Sequence, residues 1–278
     1  DGIGFSNEAT ISITINPIND APVANAVTGS TNENRSIQLS ITLDATDVDG
    51  DDLTYSIVSD VSNGTTSISG STLTYTPDTN WNGTDTFTYK ANDGSLDSNT
   101  ASGTITVSEV NDAPVASAVS ASTNEDTAKA ITLSASDVEG SSLTYSIVSN
   151  PSNGSLGSVS GTGVTYTPSA NWNGTDTFTY KANDGTVDSN TVTVTVTVAA
   201  VNDTPIAQNV SGSTNENRMS QLGVTLVATD VDGDNLTYSI VATNDGTVTV
   251  NGSTATYTPD SNFNGTDTFT YKANDGTV

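Results

Sequence analysis

Residues 84–94 read Thr-Asp-Thr-Phe-Thr-Tyr-Lys-Ala-Asn-Asp-Gly, and the same eleven residues return at 175–185 and 266–276. Phe87, Tyr89 and Ala91 alternate with polar residues, a period of two that marks a strand with one buried face, closed by the turn Asn92-Asp93-Gly94. The surrounding words repeat too. Asp20, Asp112 and Asp203 stand in Asn-Pro-Ile-Asn-Asp-Ala-Pro-Val-Ala (16–24), Ser-Glu-Val-Asn-Asp-Ala-Pro-Val-Ala (108–116) and Ala-Ala-Val-Asn-Asp-Thr-Pro-Ile-Ala (199–207), at intervals of 92 and 91 residues. Solenoid periods run to about 50 residues, so this one has the size of a small domain that buries its own core. The chain therefore divides into repeat one at 19–110, repeat two at 111–201 and repeat three at 202–278. Because Asp1-Gly2 aligns with Asp93-Gly94, Asp184-Gly185 and Asp275-Gly276, residues 1–18 read as the last strand of a preceding repeat. Repeat three correspondingly reads as lacking its own last strand, and residues 9–15 are expected either as an extended tail or paired across a chain contact.

Composition narrows the chemistry. A net charge of −26 with only six Lys and Arg leaves no basic patch to displace phosphate counterions, which excludes nucleic acid as a partner and argues against anionic membranes. Such a chain needs cations to relieve its self-repulsion. It has no His and no Cys, so thiolate and imidazole metals are disfavoured, whereas carboxylate and amide oxygens suit Ca²⁺. The same absence removes the usual nucleophile–base pairs, and no Gly-x-Ser-x-Gly occurs, so the chain does not read as an enzyme. No apolar run reaches membrane-spanning length, so no membrane insertion is expected in this segment. Hydrophobic residues make up only 33%, yet Leu39, Ile41 and Leu43, and then Leu53, Tyr55 and Ile57, alternate with polar residues; that placement argues for strands over disorder.

Repeat one carries seven such runs in about 90 residues. Pro22 holds Ala21 extended ahead of a first strand. Residues 36–46, 53–58, 65–69, 71–76, 84–91 and 100–108 supply the other six, separated by turn signals such as Asn63-Gly64 and Gly70. No segment shows a helical period. The expected fold is all-β, a tandem of seven-stranded Greek-key β-sandwiches of cadherin-like or Ig-like type in an elongated rod.

Strands running up and down a sandwich send the acidic turns to shared poles. For the junction of repeats one and two this gathers Asn111 and Asp112 from the linker, Asp137 and Glu139 from the turn, and Asp184, with Glu33 approaching from the other side. Ca²⁺ takes six to eight oxygens from several directions, which such a pole supplies. Each Asp before Gly also has an ordinary reading as an Asx turn.

The succession Val-Asn-Asp-Ala-Pro-Val-Ala, Thr-Asn-Glu-Asn-Arg-Ser, Ala-Thr-Asp-Val-Asp-Gly-Asp-Asp-Leu-Thr-Tyr-Ser-Ile, Phe-Thr-Tyr-Lys-Ala-Asn-Asp-Gly and a closing Thr-Ile-Thr-Val-Ser-Glu-Val-Asn-Asp-Ala-Pro resembles the bacterial cadherin-like tandem repeats of very large calcium-dependent surface adhesins, over the whole chain. The resemblance implies an extracellular or cell-surface location and Ca²⁺ between repeats. In the family pattern, the glutamate near the first strand corresponds to Glu33, Glu125 and Glu216. The Asp-x-Asp turn corresponds to Asp47 and Asp49, Asp137 and Glu139, Asp230 and Asp232. The Ala-x-Asp-Gly aspartate corresponds to Asp93, Asp184 and Asp275, and the linker to Asn19 and Asp20, Asn111 and Asp112, Asn202 and Asp203. The chain departs from animal cadherins where Asp-Arg-Glu precedes the sixth strand: Asp78 and Asn80, Ser169 and Asn171, and Asp260 and Asn262 stand there. The linker has Ala113 or Thr204 in place of a second Asn, which points to one or two ions per junction. Repeat two, with Ser141 and Ser142 where its siblings have Asp51 and Asp52 or Asp234 and Asn235, is expected to make the weaker-binding junction.

Trp81, Trp172 and Phe263 read as loop anchors, and Lys90, Lys181 and Lys272 as solvated partners of acids rather than isopeptide donors. Asn82-Gly83-Thr84, repeated at Asn173 and Asn264, is both a glycosylation sequon and an ordinary Asn-Gly turn, and both readings stand. The preferred function is a calcium-stiffened structural spacer of a large surface adhesin, fibre or matrix protein. Its partners are then neighbouring repeats of the same or an identical chain, with any surface ligand bound elsewhere in the full protein. The alternative is a glycan- or protein-binding adhesive module.

Overall fold

The computed structural model describes residues 2–34, 37–215 and 221–277; the Ser36 start of the expected second strand and the candidate ligand Glu216 lie outside the described residues. The chain forms two compact units, Asp1–Asp112 and Ala113–Val278. All regular structure among the described residues is β.

The first unit contains β1 (Val23–Ala24), β2 (Val27–Asn32), β3 (Leu39–Thr42), β4 (Ala45–Thr46), β5 (Thr54–Ser59), β6 (Gly64–Ser69), β7 (Thr72–Pro77), β8 (Gly83–Asn92) and β9 (Ala101–Ser108). One sheet runs β2-β9-β8-β5, the facing sheet runs β3-β7-β6, and β1 pairs with β4. β2 lies parallel to β9, with Val27 opposite Gly103, and the remaining ladders are antiparallel. Seven expected strands thus appear as nine, because the first and second each break where they leave one ladder and join another.

Tyr89 holds both breaks. Its ring is fully buried, and its hydroxyl lies against the carbonyls of Asn25 at 2.5 Å and Asp44 at 2.9 Å while accepting the Asp44 N–H at 3.1 Å. The Asp44 carbonyl also takes the Asn25 N–H at 2.9 Å, while the Asn25 carbonyl and the Asp44 N–H sit where a strand changes sheet, and the phenol serves both. Replacing Tyr89 with Phe is expected to destabilise the first repeat by about 1 kcal/mol, the net worth of a hydrogen bond to partly buried backbone groups. Urea unfolding measures it, and a change within about 0.5 kcal/mol, the scatter of ordinary surface substitutions, would count against the latch.

Leu73, Tyr75, Phe87, Tyr89 and Ile105 form the buried centre, and Trp81 packs against it. Along the outer edge of the larger sheet, the β5–β8 register slips between Ile57 and Ser59, leaving Val58 as an extra residue, 53% exposed. Residues 2–22 form no strand, and Ile11, Ile13 and Ile15 stand almost fully in solvent.

The second unit opens with the same sandwich: β10 (Val115–Ser117), β11 (Val119–Asn124), β12 (Lys129–Thr132), β13 (Ser134–Ser136), β14 (Thr144–Ser149), β15 (Gly154–Leu156), β16 (Gly163–Pro168), β17 (Gly174–Asn183) and β18 (Val192–Ala199). Its sheets are β11-β18-β17-β14, β12-β16-β15 and β10-β13. Tyr180 repeats the latch on Ser117 and Ser134, and the bulge recurs at Val148.

The third repeat follows with β19 (Ile206–Ala207), β20 (Leu222–Thr225), β21 (Ala228–Thr229), β22 (Thr237–Thr243), β23 (Gly246–Asn251), β24 (Thr254–Pro259) and β25 (Phe269–Asn274). Its sheets are β20-β24-β23, β22-β25 and β19-β21. Among the described residues nothing corresponds to β9 or β18. Residues 208–215, which correspond to β2 and β11, consequently have no parallel partner and form no strand. Phe269 and Tyr271 are half-buried, whereas their counterparts Phe87, Tyr89, Phe178 and Tyr180 are no more than 1% exposed.

Candidate metal centre

The acidic turn divides the work of one carboxylate between structure and charge. Asp47 Oδ1 accepts the backbone N–H groups of Asp49 at 2.9 Å, Gly50 at 3.0 Å and Asp51 at 3.4 Å, while Gly50 takes the left-handed φ of +81° that lets the chain reverse. Oδ2 of the same side chain is shut off from solvent with no hydrogen-bond partner. Asp47, Asp49 and Asp51 each bring a carboxylate oxygen within 4.8 Å of the other two, and Asp230, Asp232 and Asp234 do the same in repeat three. There Asp230 Oδ1 takes the Asp234 N–H at 3.2 Å and its Oδ2 is again buried and unpartnered. The Asx-turn reading and the metal reading therefore apply to different oxygens of one residue.

The linker closes onto these turns. Asp20 N–H donates to Asp49 Oδ2 at 2.8 Å, and Asn19 Nδ2 donates to Asp93 Oδ2 at 2.9 Å. Asp93 Oδ1 meanwhile receives Ser95 and Leu96 N–H. The Leu96 N–H, the Asn19 amide and the Ser95 N–H hold Asp93 below the ordinary carboxylate value. Asn19, Asp20, Asp47, Asp49 and Asp93 thus come together at one end of repeat one. In repeat three, Asp203 N–H reaches Asp232 Oδ2 at 2.7 Å and Asn202 Nδ2 reaches Asp275 Oδ2 at 2.8 Å.

The opposite end of the first and of the second sandwich carries a buried glutamate. Glu33, 2% exposed, accepts Val110 N–H at 2.8 Å, and Glu125, 4% exposed, accepts Val201 N–H at 2.6 Å. The next residue, Asn34 or Asp126, adopts a left-handed φ of 56°, a conformation Asn and Asp tolerate better than other side-chain-bearing residues. Asn34 accepts Asn80 N–H and donates to Asp112 Oδ2, and Asp126 Oδ1 accepts Asn171 N–H. Sequence reasoning missed Asp126; its one signal was an Asn or Asp directly after the glutamate in all three repeats.

Within the second unit the two kinds of end converge on Asp203. Its Oδ2 is buried without a partner. Burial first, and then the negative charges of Asp232, Asp126, Glu125 and Asp230, push Asp203 above the ordinary carboxylate value. The negative charges of repeat two and of repeat three thus both act on this linker aspartate.

The five residues that the sequence gathers at the earlier junction belong to both units. In the first, Asn111 Nδ2 donates to the carbonyl of Asp112, whose own carboxylate accepts from Asn34. In the second, Asp137 Oδ1 takes Ser141 N–H and leaves Oδ2 buried and unpartnered, Asp184 Oδ1 takes Thr186 and Val187 N–H, and Glu139 is half-buried. Lys90 and Lys181 pair with Asp97 and Asp188 on partly exposed surface.

Consecutive Greek-key sandwiches with acidic turns and acidic linkers define a tandem-repeat protein of the Ig-like and cadherin-like class. The chain belongs to the bacterial Ig domain family, which it matches over residues 19–108, 111–197 and 202–278. A curated relative, integrin beta-like protein A of Dictyostelium discoideum, is 34% identical over 124 residues, 37% of this chain and 6% of that protein's length. The chain therefore spans a small part of that relative. Among solved structures, extracellular cadherin domains 3–6 of protocadherin gamma B2 align over 86% of this chain and 65% of theirs at 17% identity, with a TM-score of 0.55. Domains 1–5 align over 89% and 55% at 18% identity, with a TM-score of 0.53. These likenesses show a shared fold. No helix among the described residues is long and apolar enough to cross a membrane.

Proposed function

We propose that this chain is an extracellular spacer whose tandem sandwiches are ordered by Ca²⁺ held at their ends. The observation that carries the reading is the pair of buried carboxylate oxygens of Asp203 and Asp230 that lack any hydrogen-bond donor, beside the Asp230, Asp232 and Asp234 group and under the charge of carboxylates from two successive repeats. An all-oxygen donor set without His or Cys fits a hard divalent cation, and donors arriving from several directions fit the high coordination number of Ca²⁺ better than the compact octahedron of Mg²⁺. When bound, Ca²⁺ supplies the positive charge that the cluster lacks. Glu125, Asp126, Asp203, Asp230 and Asp232 would hold it, with Asn202 and Asp275 fixing the linker beside them. Asn19, Asp20, Asp47, Asp49 and Asp93 take the same roles at the start of repeat one, and Glu33 corresponds to Glu125 at its end. Asn111, Asp112, Asp137, Glu139 and Asp184 are proposed as donors by the same correspondence. Membership of the bacterial Ig domain family, the ectodomain folds and the integrin beta-like relative support an adhesin-type setting.

Calorimetric titration tests it. Ca²⁺ is expected to bind in the weak extracellular class, with Kd of about 10⁻⁴–10⁻³ M. Asp203→Asn, which removes the charge and keeps one oxygen, is expected to weaken one class of sites at least tenfold. A chain that takes up no Ca²⁺ at tens of times that concentration would overturn the proposal.

A further inference from the structure

The residue after each buried glutamate has little freedom of identity. Asn34 and Asp126 both hold a φ of 56°, where side chains other than Asn and Asp are costly. Both must also offer an oxygen to a loop: Asn34 Oδ1 accepts Asn80 N–H at 3.0 Å, and Asp126 Oδ1 accepts Asn171 N–H at 3.0 Å. Gly would meet the angle but supplies no oxygen, so the position takes Asn or Asp. Those two differ in one terminal group, an amide NH₂ or a second carboxylate oxygen, and hence in charge.

In repeat one that group is a donor. Asn34 Nδ2 bonds Asp112 Oδ2 at 2.9 Å, which occupies an oxygen of the linker aspartate and stabilises its charge where it stands. In repeat two the same place carries a negative charge instead. Asp203, the linker aspartate that follows, keeps a buried Oδ2 without any donor. Burial, then Asp232, then Asp126 are the leading causes that raise Asp203 above the ordinary carboxylate value.

We infer that the choice of Asn or Asp after the glutamate sets how strongly the following linker aspartate draws Ca²⁺: Asn34 restrains Asp112, and Asp126 strengthens Asp203. Given the calcium reading on which this rests, the Asp203 cluster fills first as Ca²⁺ rises and Asp112 later, because ligand charge governs affinity. This cause is separate from Ser141 and Ser142 in the turn of repeat two.

Exchanging the two residues tests it, since Asn34→Asp and Asp126→Asn each keep the loop acceptor and tolerate the backbone angle. In calorimetric titration of the intact 278-residue chain, Asp126→Asn is expected to weaken the tightest class of Ca²⁺ sites at least about fivefold, the worth of one unit charge about 4 Å away in water. Asn34→Asp is expected to tighten a weaker class by as much and to leave the tightest unchanged. Melting in EDTA gives a readout without metal, with opposite signs. Asp126→Asn removes a repulsion and is expected to raise Tm, whereas Asn34→Asp loses the bond to Asp112, adds a charge beside it and is expected to lower Tm. Asp126→Ala, which also loses the loop bond, is expected to melt below Asp126→Asn. A chain that binds Ca²⁺ while both exchanges leave the site classes and the EDTA melts as in wild type overturns the inference and leaves the calcium reading standing. Exchanges that both lower Tm, with site classes unchanged, assign the position to folding alone and overturn it too. A chain that takes up no Ca²⁺ overturns both.

Discussion

Alanine at Asp176 is expected to destabilise the second repeat by on the order of 4 kcal/mol, because several buried donors lose their acceptor together. The side chain lies on the core-facing side of β17, 4% exposed. Its oxygens receive Ser152 N–H at 3.0 Å, Asn153 N–H at 2.8 Å, Thr177 N–H at 2.9 Å and the Tyr166 hydroxyl at 3.1 Å. Burial alone would raise this carboxyl, but the backbone donors and the phenol overcome that and hold it below its ordinary value, while burial and then the bond to Asp176 push the Tyr166 phenol up to about 12. A carboxylate depressed in the fold adds stability that is fully present above its unfolded value of 3.8 and drains away as pH falls from there through the lowered folded value. Wild type should therefore lose stability steeply below about pH 4, and Asp176→Ala should flatten that limb. Denaturant midpoints from pH 2 to 7 check both. Asp85 makes the equivalent bonds to Ser62, Asn63, Thr86 and Tyr75 in repeat one, so Asp85→Ala should reproduce the loss there. A cost under about 1 kcal/mol would mean that water replaces the carboxylate.

Chelation is the second large effect. A site with Kd of about 10⁻⁴ M at a hundredfold excess of Ca²⁺ adds about 2.7 kcal/mol, and for a unit of this size each kcal/mol moves Tm by about 2–4 °C, so EDTA should lower Tm by about 5–10 °C. The pH dependence is diagnostic. Asp203 is raised in the fold, so without metal the folded chain holds that proton more tightly than the unfolded chain does, and stability falls as pH rises from 3.8 through the raised value. The gap between melts in Ca²⁺ and in EDTA should accordingly be wide at pH 7 and narrow near pH 4. Equal melting temperatures in the two buffers at pH 7 would sink the calcium reading.

Strand positions were legible because side chains alternate on a pleated surface: residues 84–91, 100–108 and 71–76 correspond to β8, β9 and β7 within two residues at each end. The splitting of the first two strands was not. It depends on one hydroxyl, that of Tyr89, meeting residues 45 and 64 positions away, and no local pattern encodes such a distance. Asp85 sits in phase with Phe87 and Tyr89, so the alternation placed a carboxylate in the core, but two of its donors, Ser62 and Asn63, lie on a turn more than 20 residues earlier. The Asp-x-Asp turns were legible as short-range chemistry. Asp126 was hidden because its place depends on a left-handed backbone angle and its charge acts on an aspartate, Asp203, far along the chain.

The slipped register at Val58, Val148 and Val241 bears on how near-identical neighbours avoid confusion during synthesis. Each sits on β5, β14 or β22, two of which border a four-stranded sheet. Tandem domains of similar sequence are prone to exchange strands while several are half-made, and an unbroken rim is where such mistakes begin. An extra residue interrupts the even spacing of donors and acceptors and twists the rim away, so a stray strand meets a mismatch after about three residues. The kink thus makes each rim a poor template for the matching strand of the repeat beside it.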